Sequence, residues 1–521
     1  MGESWTRHAQ LDDAYISYRY ADNLVSGSGL VYNPGQRVEG ITNLLWTLLV
    51  ATGLALGVKA NQAGHALGLI TGVAALVATY LYAAVGLPRA RLWMAALAPW
   101  VVLASVSFAL WSTSGMETPL FTALVTAALA AQARGRIGWA TVALCVATLT
   151  RPDGVIAAVP ILGFHLASRW REGARAWTWP VVYGVVVALL SAFRLAYYGS
   201  PVPNTFQAKV GGIPFEQGLQ YLLEFLWDGK ALLLIPAVVA VVRDRRWWPG
   251  AAVCVSLSLY VVAIGGDAFP HGRFLLPALP CLAALALRGA AEAYALDRYA
   301  GMLISIGIPA AICWQVFATV PPVLILCCCV LGLAWFAALR LGRRWILAAV
   351  ATGLAGAMGA FALTDDASGF DALRASRRAE ELRRVRTAFG MLERMGFMRA
   401  QVLRARPGPI RLVAGGAIGS FGFFSGMPIV DVYGLVDPEI ARSEAGLTGE
   451  AMLLPGHQRS NADLIFARRP DYILIPRPED AVSGGLPANL ELTAHPDLAA
   501  HYEWDEEVWG YRRRSEPGPG P

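Results

Sequence analysis

Between residues 65 and 364 the chain is a near-continuous succession of apolar runs, broken only by short loops. About twelve candidate crossings lie near 65–87, 92–112, 118–133, 137–150, 153–168, 178–198, 228–242, 248–265, 273–288, 300–319, 321–338 and 345–364. Several fall short of the roughly 20 residues that a straight helical span needs, so tilted or broken helices are expected. Hydrophobic residues make up 56% and charged residues 15%, against about 45–50% and about 25% in soluble domains. A water-soluble enzyme, a disordered chain and a collagen-like repeat are all excluded. The fold class expected is a polytopic α-helical membrane protein with a C-terminal extracytoplasmic α/β domain.

The loop charges orient the helices. Arg89/Arg91, Arg134/Arg136, Arg169/Arg171/Arg175, Arg243/Arg245/Arg246, Arg288/Arg298 and Arg340/Arg343/Arg344 follow every second crossing, which places all six clusters in the cytoplasm. Lysine occurs only at Lys59, Lys209 and Lys230 among 43 basic residues. The arginines sit in short inter-helix clusters, so the net charge of +6 marks no nucleic-acid surface.

The same parity puts residues 1–64, the alternate loops and everything after 364 outside the cytoplasm, in a protein of the cell membrane. The run 41–58 is then an interfacial or re-entrant helix, since one more crossing would break the charge pattern. An external start calls for a membrane helix ahead of residue 12, and such a helix is expected. All seven cysteines lie in apolar stretches without histidine at metal-ligand spacing, so neither a disulfide framework nor a zinc site is indicated.

Three regions result: 1–64, a first external loop; 65–364, the transmembrane helices; and 365–521, the C-terminal domain. In the last, 374–399 reads as a charged amphipathic helix, and 410–414, 428–432 and 471–475 as strands. GAIGSFGFFSG at 416–426 lacks the P-loop ending and the dinucleotide spacing, and reads as a tight strand–turn.

The external loops hold the polar residues that could do chemistry. Asp12 and Asp13 are adjacent carboxylates at a membrane surface, where desolvation raises at least one pKa. They could supply a general base, a ligand for a divalent cation (Mg²⁺ or Ca²⁺), or an N-cap for the following helix. Tyr15, Tyr18, Arg19, Tyr20 and Asn23, followed by GSGLVYNPGQRVEGITN with Glu39, offer the rings and amides of a sugar site, or an interfacial aromatic belt. Further along come Glu117, Arg151 with Asp153, Lys209, Asp267, His271 and Arg273. The cations at the outer lip could hold a lipid-linked phosphate, whereas Arg151 and Asp153 read as a structural pair. In the C-terminal domain Asp431 and Asp437 are weaker candidates for acceptor contacts.

DDAYISYRYADNLVSGSGLVYNPGQRVEGITNLLWT resembles the first external loop of GT-C class glycosyltransferases, membrane enzymes that use polyprenyl-phosphate sugars. It is most similar to the mycobacterial and corynebacterial terminal β-(1→2)-arabinofuranosyltransferases. SGMETPLF, RPDG, PNTFQAK, GGDAFPHGRF, IVDVYGLVDPEIARS and RRPDYILI follow in matching order, so the resemblance spans roughly 12–475. It implies a catalytic base at Asp12 or Asp13, a donor like decaprenyl-phosphoryl arabinose, and a growing cell-wall arabinan as acceptor, held in part by the C-terminal domain. Transfer of mannose or another sugar is the nearest alternative. A transporter or flippase would place ionisable residues mid-helix and repeat its halves, which this sequence does not. In a non-catalytic assembly protein the two aspartates would be caps only. A single displacement assisted by a base inverts the anomeric centre, and a retained configuration needs another route.

Overall fold

The computed structural model describes residues 10–209, 215–227, 230–296, 308, 377–443, 457, 459–477, 479 and 486–514. The expected crossings at 300–319, 321–338 and 345–364 lie outside the described residues. Among the described residues the helices up to residue 405 are α1 (Asp12–Val25), α2 (Leu44–Ala55), α3 (Ala60–Ala83), α4 (Leu92–Ala95), α5 (Leu97–Leu103), α6 (Val106–Thr113), α7 (Thr118–Ala133), α8 (Ile137–Thr150), α9 (Gly154–Arg169), α10 (Ala174–Tyr198), α11 (Asn204–Lys209), α12 (Phe215–Trp227), α13 (Leu234–Arg243), α14 (Trp248–Ile264), α15 (Ala278–Leu296) and α16 (Arg377–Ala405).

Among the described residues three segments, α3, α10 and Arg245–Ile264, are long and apolar enough to cross a membrane, or up to five if each of two bent pairs forms one span. The chain is a multi-pass membrane protein. The expected crossing at 92–112 is broken: Leu92–Leu103 and Val106–Thr113 meet at 71°, where Ser105 takes an extended backbone (ψ 123°) between two helical arms. The run 41–58 forms the short helix α2. Close packing rests on small residues. A Cβ on Gly64 would lie 1.9 Å from the Tyr18 hydroxyl, and one on Gly68 2.5 Å from the Ser112 carbonyl.

The bundle has two chemically distinct ends. At one, Arg134 bonds the Leu81 carbonyl near the end of α3, and Arg288 stacks over Trp247. At the other, the loops before α2, α7, α9 and α15 gather beneath the C-terminal domain. Leu11 N donates to the Ser114 carbonyl there, as does Trp46 Nε1 to the Gly115 carbonyl.

The C-terminal region adds α17 (Gly419–Ser425), α18 (Pro438–Ala441), α19 (Ala462–Ala467), α20 (Pro487–Ala494) and α21 (Pro496–His501), with strands β1 (Val413–Gly415), β2 (Ile429–Asp431), β3 (Tyr472–Leu474), β4 (Tyr502–Asp505) and β5 (Gly510–Arg513). The sheet order is β2-β1-β3-β5-β4. The first three strands are parallel, with Val413 opposite both Ile429 and Tyr472, and the last two are antiparallel. The tight turn expected at 416–426 is instead a helix, α17, closed by Gly426 at φ 67°.

Candidate active site

Helix α1 presents two working faces. Positions 12, 15, 19 and 23 share one side at helical spacing, while Asp13 lies about 100° around the axis from Asp12. The first face belongs to the C-terminal domain. Asp12 is buried and accepts from Gly419 N (2.9 Å), Ser420 N (2.8 Å) and Ser420 Oγ (2.6 Å). These amides open α17 and have no partner within their own helix. Asp12 is therefore a cap, though not of its own helix, whose N-cap is Leu11 without a side-chain bond. Burial raises the Asp12 pKa, and the bonds from Ser420 and Gly419 oppose the rise.

Two turns on, Arg19 donates to the Gly422 carbonyl (2.7 Å) and the Met427 carbonyl (2.7 Å) at the far end of α17, and to the Tyr32 carbonyl and Asn33 Oδ1. Its guanidinium also covers the Tyr32 ring at 4.2 Å. Tyr15 is wholly buried and donates its hydroxyl to Glu393 on α16, which also accepts from Gln10 N (3.1 Å). Tyr20 bonds to Val38 and Gly40, and Asn23 bonds to the carbonyls of Val31 and Tyr32. Tyr15, Arg19, Tyr20 and Asn23, expected to contact donor, thus spend their polar atoms on protein partners. Glu39 is buried with Arg194 Nε at 2.9 Å from its Oε1, while its Oε2 has no hydrogen-bond partner among the described residues.

The second face of α1 looks toward the helix ends. Asp13 is partly exposed and makes no hydrogen bond or ion pair among the described residues. Ser17 Oγ, one turn further along, donates to Asn43 Oδ1 (3.0 Å), and Asn43 Nδ2 donates to Glu117 Oε2 (2.9 Å). Glu117 Oε1 takes Arg151 Nη1 at 3.1 Å, and Arg151 is bidentate on Asp153 at 2.8 and 2.9 Å. The Arg151–Asp153 pair expected from RPDG is therefore a triad with Glu117.

Arg273 pairs with Asp267 through Nε (2.7 Å) and Nη2 (2.9 Å), and its Nη1 makes no hydrogen bond among the described residues. Both guanidiniums sit on one ring, Arg151 at 4.7 Å and Arg273 at 5.1 Å from the centroid of Phe274. The carboxylates of Asp267, Glu117 and Asp13 offset the cost of burying the Arg273 guanidinium and the repulsion from Arg151. The Asp13 charge therefore reaches Arg273 through space, whereas Asp12 is committed to α17.

His271 stands in the left-handed region at φ 65°, where its carbonyl accepts from Trp111 Nε1 (3.2 Å). Lys230, which the motifs did not single out, is buried with its ammonium 4.6 Å from the Phe225 ring centroid. That ring lies against Gly272, next to Arg273. Lys209 ends α11, and its side chain lies outside the described residues.

The two expected acceptor residues hold turns together. Asp431 is fully buried and accepts from Tyr433 N (3.0 Å) and Val436 N (3.1 Å). Asp437 caps α18 through Glu439 N and Ile440 N and pairs with Arg468. Neither offers a carboxylate to an incoming glycan. Among the described residues no group of three or more His, Cys, Asp or Glu side chains converges as a metal site would require. Asp12, engaged with Gly419 and Ser420, lies on a different face of α1 from Asp13.

Comparison with known proteins adds a second line of argument. Residues 381–515 match a family described as Domain of unknown function (DUF8728). The chain is 29% identical over 343 residues to a terminal beta-(1->2)-arabinofuranosyltransferase of Corynebacterium glutamicum, covering 54% of this chain and 48% of that protein. It is 28% identical over 339 residues to the protein of the same name from Mycobacterium tuberculosis, covering 54% and 52%. The chain thus spans about half the length of the curated relatives it matches. Among solved structures, ArnT from Cupriavidus metallidurans superposes with a TM-score of 0.49 at 15% identity in the apo state, over 82% of this chain and 83% of that one. The same protein bound to undecaprenyl phosphate gives 0.48 at 12% identity. The likeness to the arabinofuranosyltransferases agrees with the resemblance carried by the aspartate motif.

Proposed function

We propose that this chain is a membrane glycosyltransferase that moves arabinofuranose from a polyprenyl-phosphoryl donor such as decaprenyl-phosphoryl arabinose to a cell-wall arabinan, on the extracytoplasmic side. The observation that carries the reading is the division of labour in the Asp12–Asp13 pair. One carboxylate is consumed by the C-terminal domain, and the other stands partly exposed, without a hydrogen bond or ion pair among the described residues, with its charge felt at the buried Arg273.

The chemistry asks for few parts. A sugar phosphodiester already activates its anomeric carbon, so the protein must take a proton from the acceptor hydroxyl and stabilise the leaving phosphate. Asp13 is the base in this reading. The acceptor oxygen bonds to the anomeric carbon, the carbon–oxygen bond to phosphate breaks, and polyprenyl phosphate departs with the electron pair. Arg273, with Nη1 still available, and Arg151 face the charge that develops on the phosphate, and Lys230 adds a third cation at the same end. Asp267, Asp153 and Glu117 hold the arginines in place, as desolvated guanidiniums require.

The relatives' names support the sugar and the loop charges support the orientation. Within this reading residues 1–64 form the catalytic loop, 65–364 the membrane domain that admits the lipid, and 365–521 the external domain that fixes α1. Purified protein in lipid nanodiscs, given radiolabelled decaprenyl-phosphoryl arabinose and an arabinan acceptor, should form product. Transfer from polyprenyl-phosphoryl mannose alone would keep the enzyme class and overturn the sugar. Transfer from neither would overturn the reading.

A further inference from the structure

We propose that helix α12 lies close to the plane of the membrane, with its apolar edge sunk into a phospholipid leaflet on the side where the C-terminal domain sits. The placement depends on the membrane character of the chain and on no particular sugar chemistry.

The surface of α12 is divided three ways. Counting about 100° per residue from Phe215, Leu219 and Leu223 fall at about 40° and about 80°. All three are exposed, Phe215 by 65%. Glu216, Gln220 and Glu224 follow at about 100°, about 140° and about 180°. They too are exposed, and Gln220 Nε2 donates to Glu224 Oε1 at 3.0 Å. Tyr221, Phe225 and Gly218, at about 240–300°, face protein. A Cβ on Gly218 would lie 2.4 Å from the Val262 carbonyl oxygen in the last turn of α14. One on Gly266 would lie 3.0 Å from Tyr221 Cβ, and one on Gly272 2.4 Å from the Phe225 ring. A helix inside a bundle covers its apolar sector, and a helix bathed in water does not carry a bare one. Separate protein, apolar and polar sectors suit a helix at a lipid–water boundary.

The bend sets the depth. Phe215–Trp227 meets Lys230–Arg243 at 73°. The second segment leaves Leu234, Ile235, Val238 and Val242 exposed on one face, the lipid stripe of a spanning helix. At helical rise it covers only about 20 Å, against about 30 Å of hydrocarbon. Along the direction of that segment α12 adds about 6 Å. The remaining few Å are within what a bilayer absorbs by local thinning. The pair therefore crosses only if α12 is inside the leaflet rather than above it. Its contacts fix which leaflet: Tyr221 and Phe225 press on the 265–272 turn, and Phe269 of that turn packs against Phe389 of α16, 6.4 Å between ring centroids.

The attraction is apolar. The sequence FEQGLQYLLEFLW holds two glutamates and no lysine or arginine, whereas helices drawn to anionic lipid carry basic residues on their polar edge. Trp227, 81% exposed, falls at about 120°, beside the border of the apolar and polar edges, where an indole favours the interface. Lipid with a zwitterionic headgroup is therefore sufficient. Because α12 rests on the turn that carries Asp267 and leads into Arg273, it stands between the leaflet and that ion pair.

Nitroxide labels on Leu219→Cys, Leu223→Cys, Gln220→Cys and Glu224→Cys test the placement, each in the full chain in phosphatidylcholine nanodiscs. Power saturation with oxygen and with a water-soluble nickel chelate reads the surroundings, after subtraction of the signal from the unsubstituted chain and its native cysteines. Oxygen should outweigh nickel at positions 219 and 223, at a depth of about 5–10 Å, and nickel should outweigh oxygen at 220 and 224. Phe215→Cys repeats the lipid-side measurement if a leucine variant does not melt like the wild type. Nickel dominant at 219 and 223 would place the helix in water, and protection from both reagents would mean that protein covers it. Either result overturns the proposal.

Discussion

Asp12 and Arg19 stand two turns apart on one face of α1 and hold opposite ends of the same helix, the carboxylate on the opening amides of α17 and the guanidinium on carbonyls at its close. The charges match the helix dipole at both ends. Their effect is to lock α1, and with it Asp13, to the C-terminal domain. A motif that reads in sequence as a catalytic loop is half catalytic candidate and half inter-domain fastening.

Asp12→Ala should therefore be a stability lesion. It strands the buried amides of Gly419 and Ser420 and the Ser420 hydroxyl, at about 1–3 kcal/mol for each group left unsatisfied. Thermal melting in nanodiscs should show a clear drop in Tm. A melting curve unchanged from wild type would mean that the fastening carries no weight.

Arg19→Lys should behave as a damaging substitution despite keeping the charge. Four acceptors surround the guanidinium in fork geometry, and an ammonium cannot reach them together. Increased protease cleavage between the membrane helices and the C-terminal domain, with the same total expression, is the expected signature.

Arg194 and Glu39 form a buried pair between α10 and the first loop. Arg194→Ala leaves an uncompensated carboxylate, which costs about 3–5 kcal/mol. Combining Arg194→Met with Glu39→Gln should recover most of that loss. Melting of the single and double variants checks it, and a double variant no better than the single would contradict the pairing account.

Asp431 gives the C-terminal domain a pH dependence. Burial raises its pKa to about 7, against the bonds from Tyr433 and Val436 that favour the ionised form, whereas an unfolded aspartate titrates near about 3.9. Between these values the folded state keeps a proton that the unfolded state has lost. Stability therefore falls as pH rises from about 4 to about 7, by at most about 1.4 kcal/mol per pH unit, and is flat above. Relative to wild type, Asp431→Asn should gain stability across that window. Parallel melting curves at pH 5, 6 and 7 would contradict this.

The apolar periodicity and the arginine spacing were enough to place most of the described helices, because hydrophobic runs and loop charges are local properties of the chain. The bend at Ser105 was not legible, since nothing in the run marks where packing forces an extended residue. The C-terminal hairpin was missed because YEWDEEVWGYRR carries too much charge to read as two strands. At the candidate site the motif located α1 but could not separate Asp12 from Asp13. That distinction depends on Ser420, roughly four hundred residues away in sequence, and on a helix that GAIGSFGFFSG concealed behind its glycines. Glu393 and Arg194 were invisible for the same reason: their partners are tertiary.

The most direct test of the account compares sugar transfer by Asp13→Asn and Asp12→Asn in nanodiscs, each normalised to its folded fraction. Asp13→Asn should melt like the wild type and lose about 10²–10⁴ in rate, the contribution of a positioned base, while Asp12→Asn should melt lower and keep substantial transfer per folded molecule. A fully active Asp13→Asn, with activity abolished in a well-folded Asp12→Asn, would contradict it.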